Sequence, residues 1–115
     1  MNNIDEYQKW TRTTVVYASD AAPREGSSLV DIMYCGLGLA GEAGEVADKV
    51  KKLYRDGYSP LKRAEICKEL GDVAWYMARL ADEFQLPLSE VLQQNIDKLN
   101  QRKATNKLHG SGDNR

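Results

Sequence analysis

A chain of 115 residues with 16 Lys and Arg against 17 Asp and Glu, for a formal net charge of −1, has room for one hydrophobic core and little margin for a second. That balance speaks against a general binder of nucleic acid or of membrane surfaces, which would carry a basic excess. No apolar run approaches about 18 residues and no charged-then-apolar leader opens the chain, so neither a membrane span nor a secretory signal is expected and the location is expected to be cytoplasmic.

The first element is predicted as a helix from residue 3 to about 17, with Asn2 or Asn3 as cap and Ile4, Tyr7, Trp10, Thr14 and Tyr17 at roughly helical spacing. Ser19 to Ser28, with Pro23 and Gly26, reads as a loop. Ser28 then caps a long second helix from about Leu29 to Arg55, closed by Asp56-Gly57. Ser59-Pro60 supplies the cap and first-turn proline of a third helix running to about residue 84. A fourth opens at Ser89 or in the turn before it, carries Val91, Leu92, Ile96 and Leu99 on its apolar side, and ends near Arg102 to Thr105. The polar tail from Asn106 to Arg115 predicts no element of its own: it is either disordered or ordered over a ligand. No strand candidate alternates convincingly. The expectation is a single all-α domain over residues 1–105, a four-helix bundle with antiparallel neighbours, whose wide apolar stripes call for a second copy of the chain. Cys35 and Cys67 lack C-x-x-C spacing and His109 is the only histidine, so zinc is not expected and both thiols are expected to be free and buried.

Glu42 and Glu45 lie three apart in the second helix, and Glu69 and Asp72 three apart in the third, a spacing that puts each pair on one helix face. On a helical wheel of about 100° per residue, Cys35, Leu39, Val46, Val50 and Leu53 form an apolar stripe to one side of Glu42. Ile66, Val73, Met77, Leu80 and Phe84 repeat that stripe beside Glu69. Acids at this spacing usually mark a solvated face. The matched offset of the two pairs argues otherwise, and so do the glycines around them, Gly36, Gly38, Gly41, Gly44 and Gly71, each costing roughly 1 kcal/mol against Ala inside a helix. Those glycines imply either close approach of another backbone or a ligand, or a break in the second helix near residues 36–41. If the stripes pack together, four carboxylates meet at the edge of the core and require a cation. Mg²⁺ suits an all-oxygen set, with Mn²⁺ as the alternative, whereas the imidazoles of a di-iron bundle are missing. Such a site beside basic residues points to phosphoanhydride or phosphate-ester chemistry.

The run Leu39-Ala-Gly-Glu-Ala-Gly-Glu-Val46, then Lys51-Lys52, then Glu69-Leu-Gly-Asp-Val73 resembles the MazG-like nucleoside triphosphate pyrophosphohydrolases, whose hallmark is ExxE followed after a helix-turn spacer by ExxD. The opening Glu6 to Trp10 with Thr13-Thr14, and the closing Asn95 to Arg102 with Gly110 to Arg115, are similar to the ends of single-domain members, so the likeness covers most of the chain. It implies an all-α bundle, dimeric or a dimer of dimers, hydrolysing a nucleoside triphosphate to its monophosphate and pyrophosphate. By that resemblance Glu42, Glu45, Glu69 and Asp72 are the metal ligands, with Glu45 the candidate to orient or deprotonate the attacking water. Lys49, Lys52, Lys98, Arg102 and Arg115 are candidate phosphate contacts, set against a solvated-surface reading of each. Trp10, Tyr34, Trp75 and Tyr76 are candidates to stack on a base and Asn95 to bond to its edge, set against a core reading of the aromatics. Two other functions stay open at this point: a sibling hydrolase acting on phosphoribosyl-ATP, and a non-catalytic helical dimerisation module.

Overall fold

In a computed structural model the structure describes residues 3–17 and 28–113. Four α-helices follow one another, α1 (Ile4–Thr11), α2 (Leu29–Asp56), α3 (Pro60–Glu83) and α4 (Leu88–Ala104), and no strand occurs among the described residues. The expected loop from Ser19 lies outside those residues up to 27.

Each boundary has a local cause. Asn3 accepts a hydrogen bond from the Glu6 amide at 2.9 Å, Ser28 from that of Asp31 at 3.2 Å, and Ser59 from that of Lys62 at 3.1 Å, so three helices begin on side-chain caps. Gly57, at φ 92°, ends α2. Two helices end in left-handed turns built without glycine. At the end of α3, Gln85 takes φ 59° while the Leu86 amide reaches back to the Ala81 carbonyl at 2.9 Å. At the end of α4, Asn106 takes φ 58° and the Lys107 amide reaches the Arg102 carbonyl at 2.7 Å.

The first helix is shorter than expected. It leaves the α conformation at Thr11, passes through a 3₁₀ turn over Arg12–Thr14 and is extended at Val15. The cause lies in the threonines: the hydroxyls of Thr11, Thr13 and Thr14 donate to the carbonyls of Gln8, Trp10 and Thr11, offering the backbone a local alternative to the helix just where β-branched Val15 and Val16 follow.

α2 and α3 run antiparallel across a three-residue turn, Gly57 to Ser59, and form the body of the molecule. The alternative of a break in α2 is not taken; the helix is continuous through residues 36–41. α1 lies across the C-terminal half of α3. Its Gln8 is fully enclosed at the corner between α3 and α4, donating to the Leu86 carbonyl at 2.8 Å and accepting from the Leu88 amide at 2.9 Å. Asp5 accepts from the Ser89 amide at 2.9 Å and from its hydroxyl. The start of α4 is therefore capped by α1, with no capping side chain of its own.

The core is small. Ala78, Ala81 and Leu88 form its centre, with Ile4, Tyr7, Met77 and Val91 packed around them. Of the expected stripes only Cys35 is buried; Leu39, Val46, Leu53, Ile66, Val73, Met77 and Leu80 are half-buried, and Val50 and Phe84 are exposed. Cys67 also departs from expectation, standing exposed on α3 while Cys35 is enclosed. The radius of gyration is 17.0 Å, against about 13 Å for a well-filled domain of this length. Leu29, Val30, Met33 and Leu37 all face outward on α2.

Candidate functional site

Antiparallel packing of α2 and α3 brings the two acidic motifs together. Ligand oxygens of Glu42, Glu69 and Asp72 all lie within 4.8 Å of one another, Glu42 and Glu69 half-buried and Asp72 exposed. Glu45, the fourth acid expected there, is exposed on α2 and lies outside that group. The crowding has an electrostatic signature. The Glu42 carboxyl is pushed above its ordinary range, first by desolvation, then by its hydrogen bond with Glu69 and the charges of Asp72, Glu69 and Glu45. Three oxygen donors converging on a site that resists its own charge fit a hard divalent cation.

The basic candidates divide. Lys49 Nζ stands 3.8 Å from Glu69 Oε1, so it reaches the acids from the opposite helix. Lys52 pairs with Asp48 at 2.9 Å, as Lys51 does at 3.1 Å, and the two ammoniums draw the Asp48 carboxyl down to about 2. Lys98 and Arg102 are held together by the tail, Lys98 Nζ at 3.1 Å and Arg102 Nη2 at 3.0 Å from the same oxygen of Asp113. Arg102 also donates to the Gly112 carbonyl at 3.2 Å and is buried by the tail that it anchors. Asn95 is exposed on α4. Arg115 lies outside the described residues.

Next to the acids, one helical turn further along each helix, lies an aromatic cluster. Tyr76 follows Asp72 by four residues on α3, and Gly38 precedes Glu42 by four on α2. The Tyr76 ring occupies the space where a Gly38 side chain would stand. Tyr34 and Trp75 flank Tyr76, with ring centroids at 6.3 and 5.0 Å. Burial first, then the Tyr34 hydroxyl and the charge of Glu42, push the Tyr76 phenol up to about 12. Trp75 donates its indole N–H to the Thr14 hydroxyl at 2.8 Å. Trp10 is not a member; it stacks on Tyr7, centroids 5.9 Å apart.

The cluster's fourth ring is Tyr17, stacked on Tyr34 at 4.9 Å and edge-on to Trp75 at 6.4 Å. Beneath it is a buried polar network that the sequence reading passed over. Arg79, enclosed, donates to Asp82 at 2.6 Å, Glu83 at 3.1 Å and the Tyr17 hydroxyl at 3.2 Å, and Tyr17 in turn bonds to Glu83. Arg12 closes the network from outside with a two-pronged contact to Asp82 at 2.9 and 2.8 Å. The signal available in the sequence was Arg79 itself, a single cation inside the apolar run Ala78-Arg-Leu-Ala81, where a charge must find anions or be excluded.

The family model of the MazG nucleotide pyrophosphohydrolase domain matches residues 34–106, a span that takes in both acidic motifs, the aromatic pair Trp75-Tyr76 and α4. The chain is also similar to a Gene 37 protein of Mycobacterium phage L5, 43% identical over 118 residues that cover 98% of this chain and 99% of that relative. No solved structure matches it significantly.

Proposed function

Since the chain belongs to the MazG nucleotide pyrophosphohydrolase family, we propose that it hydrolyses a nucleoside triphosphate to the monophosphate and pyrophosphate with the help of a divalent cation. The observation that carries this reading is the convergence of Glu42, Glu69 and Asp72 within 4.8 Å, from two helices, on a site where Glu42 resists ionisation. Mg²⁺ is the ion of choice, Mn²⁺ its substitute, because all the donors are carboxylate oxygens. A divalent ion held there would supply charge neutralisation for the phosphate oxygens, the chemistry that favours attack of water at the α-phosphorus.

The chain's own residues then divide the work. Glu42, Glu69 and Asp72 would hold the ion. Glu45, exposed and outside the group of three, is left to orient the water or take its proton. Lys49 stands beside the acids, and Lys98 and Arg102 supply further positive charge once Asp113 gives way. Tyr34, Trp75 and Tyr76, adjoining the acids, are suited to pack against the nucleoside. Lys52, engaged with Asp48, takes a lesser part.

The working unit in this reading is a homodimer or a dimer of dimers. A scant core, a radius of 17.0 Å and outward-facing Leu29, Val30, Met33 and Leu37 support a second copy covering the exposed stripes.

Incubation with a panel of nucleoside triphosphates and phosphoribosyl-ATP in the presence of Mg²⁺, with chromatography of the products, tests the activity. Monophosphate together with pyrophosphate is expected. Orthophosphate release, turnover of phosphoribosyl-ATP alone, or no product from any substrate would each overturn the proposal.

A further inference from the structure

We propose that Lys49 is the resident counter-ion of the acid cluster: its ammonium balances Glu69 in the metal-free protein and surrenders it when a divalent cation arrives. This rests on the metal-binding reading above. Three observations carry it.

The first is direction. Lys49 follows Glu45 by four residues on the same helix, the spacing at which a lysine ordinarily pairs with the preceding glutamate. Its ammonium crosses instead to Glu69 on α3, at 3.8 Å, and the two side chains are only 29% and 19% exposed. The second is exclusivity within this stretch. Lys51 and Lys52 both turn to Asp48, so the helix sends one lysine of the three toward the cluster. The third is the looseness of the pair. At 3.8 Å it is an ion pair without a tight hydrogen bond, which a stronger cation can exchange. Glu42 and Asp72 face the same point, so one ammonium leaves the cluster still anionic and receptive.

Two consequences follow, of opposite sign. Without metal, Lys49 relieves repulsion among the acids and stabilises the fold. With metal, it competes for Glu69 and weakens ion binding, and once displaced it stands beside the ion as a free ammonium for an entering phosphate. A lysine with only a packing role would move both quantities the same way on removal, since a damaged fold binds ions less well.

Lys49→Met keeps the aliphatic stem and removes the charge, and Lys51→Met is the control, a lysine on the same helix already held by Asp48. Mn²⁺ binding to the nucleotide-free full-length protein is followed by electron paramagnetic resonance, and melting temperature is measured in chelator. For Lys49→Met we expect Mn²⁺ affinity to rise on the order of threefold, the worth of a partly screened ion pair, while the melting temperature in chelator falls. Lys51→Met should change neither. Should Lys49→Met not fold, Lys49→Gln replaces it, and Lys49→Arg should behave as wild type in both measurements. Equal Mn²⁺ affinity in the Lys49 and Lys51 variants, or a fall in both affinity and stability at Lys49, overturns the assignment. Glu69→Gln separates this from the larger reading: if it binds Mn²⁺ like wild type the metal site itself is wrong, whereas loss of binding there with no effect at Lys49 sinks only the counter-ion.

Discussion

Tyr76 rests its ring on the bare backbone of Gly38: a Cβ built at residue 38 would lie within 2.6 Å of three ring atoms, Cε1, Cζ and Cδ1. With Tyr34 and Trp75 against its other sides, the ring has little room to withdraw. Alanine should gain roughly 1 kcal/mol in helix propensity at this position but lose about 1–3 kcal/mol to overpacking. Gly38→Ala is therefore expected to lower the melting temperature. In a Tyr76→Ala background the same change should raise it, and a thermal-melt double-mutant cycle reads the reversal.

Gly36, Gly41 and Gly44 share the helix with Gly38 but meet nothing within 4 Å. In an isolated chain each change to alanine should stabilise by up to about 1 kcal/mol. A second copy packed against α2 reverses that sign wherever it approaches closely. Sedimentation at micromolar concentration should show a dimer or tetramer, and at least one of the three substitutions should weaken it. A compact monomer stabilised by all three would remove the assembly from the proposal.

The acid cluster predicts that Mg²⁺ raises the melting temperature, because an ion held by acids from two helices would favour the folded state. Glu42→Gln removes one repelling charge at nearly constant shape and should melt at or above wild type in chelator, whereas Glu69→Gln also breaks the pair with Lys49 and should gain nothing there; both should gain less from Mg²⁺ and lose nearly all turnover. If both stay within about twofold of wild type in activity, on the order of 0.4 kcal/mol in the barrier, and keep the full melting shift, the acids are only surface charges.

Acid should reveal the same crowding. The folded-state value of Glu42 lies above its ordinary 4.5, burial being the largest cause. The stability this group contributes is therefore complete below 4.5 and lost as pH rises through the raised value. In chelator, Glu42→Gln should exceed wild type at neutral pH and converge on it as pH falls toward 4.5. Asp82 has the opposite sign. Burial, the largest influence, acts to raise it, but Arg12 and Arg79 together hold it below 3.8, so its contribution is present above that value and lost as pH falls through the depressed one. Titrating thermal melts of Glu42→Gln and Asp82→Asn should resolve the two windows.

At the other end of the chain, the Asp113 carboxylate holds Lys98 and Arg102, the two cations proposed to meet phosphate. Asp113→Ala should lower KM for the nucleotide several-fold with kcat little changed, read by steady-state kinetics at fixed Mg²⁺. An unchanged KM would leave Lys98 and Arg102 as fasteners of the tail.

The helices and the acids were legible because they obey short-range rules. Ser28, Ser59-Pro60 and Asp56-Gly57 mark boundaries by local chemistry, and i, i+3 spacing fixes which acids share a face. What stayed hidden depends on partners distant in sequence. Glu45 obeys the same spacing as Glu42, yet only packing decides which of them reaches Glu69 and Asp72. Of five local glycines, Gly38 alone meets a neighbour, because Tyr76 lies across the seam. Helical spacing assigns Tyr17 to a helix that ends six residues before it, and its place among the aromatics follows from Glu83 and Arg79, more than sixty residues away.

The corner where Gln8 meets Leu88 joins positions 80 residues apart, and Asp5 meets Ser89 across 84. A three-residue turn, by contrast, is all that separates α2 from α3. Closing the long loop costs more chain entropy than closing the short one, so the acid-bearing hairpin is expected to form before α1 meets α4. The helix whose first turn depends on α1 for its cap is thus tied to the contact that spans the longest loop. The centre of the core, Ala78, Ala81 and Leu88 with Ile4, Tyr7 and Val91, lies where α1, α3 and α4 meet, so loosening α1 and α4 gives up the best-buried contacts of the molecule rather than sparing the hairpin.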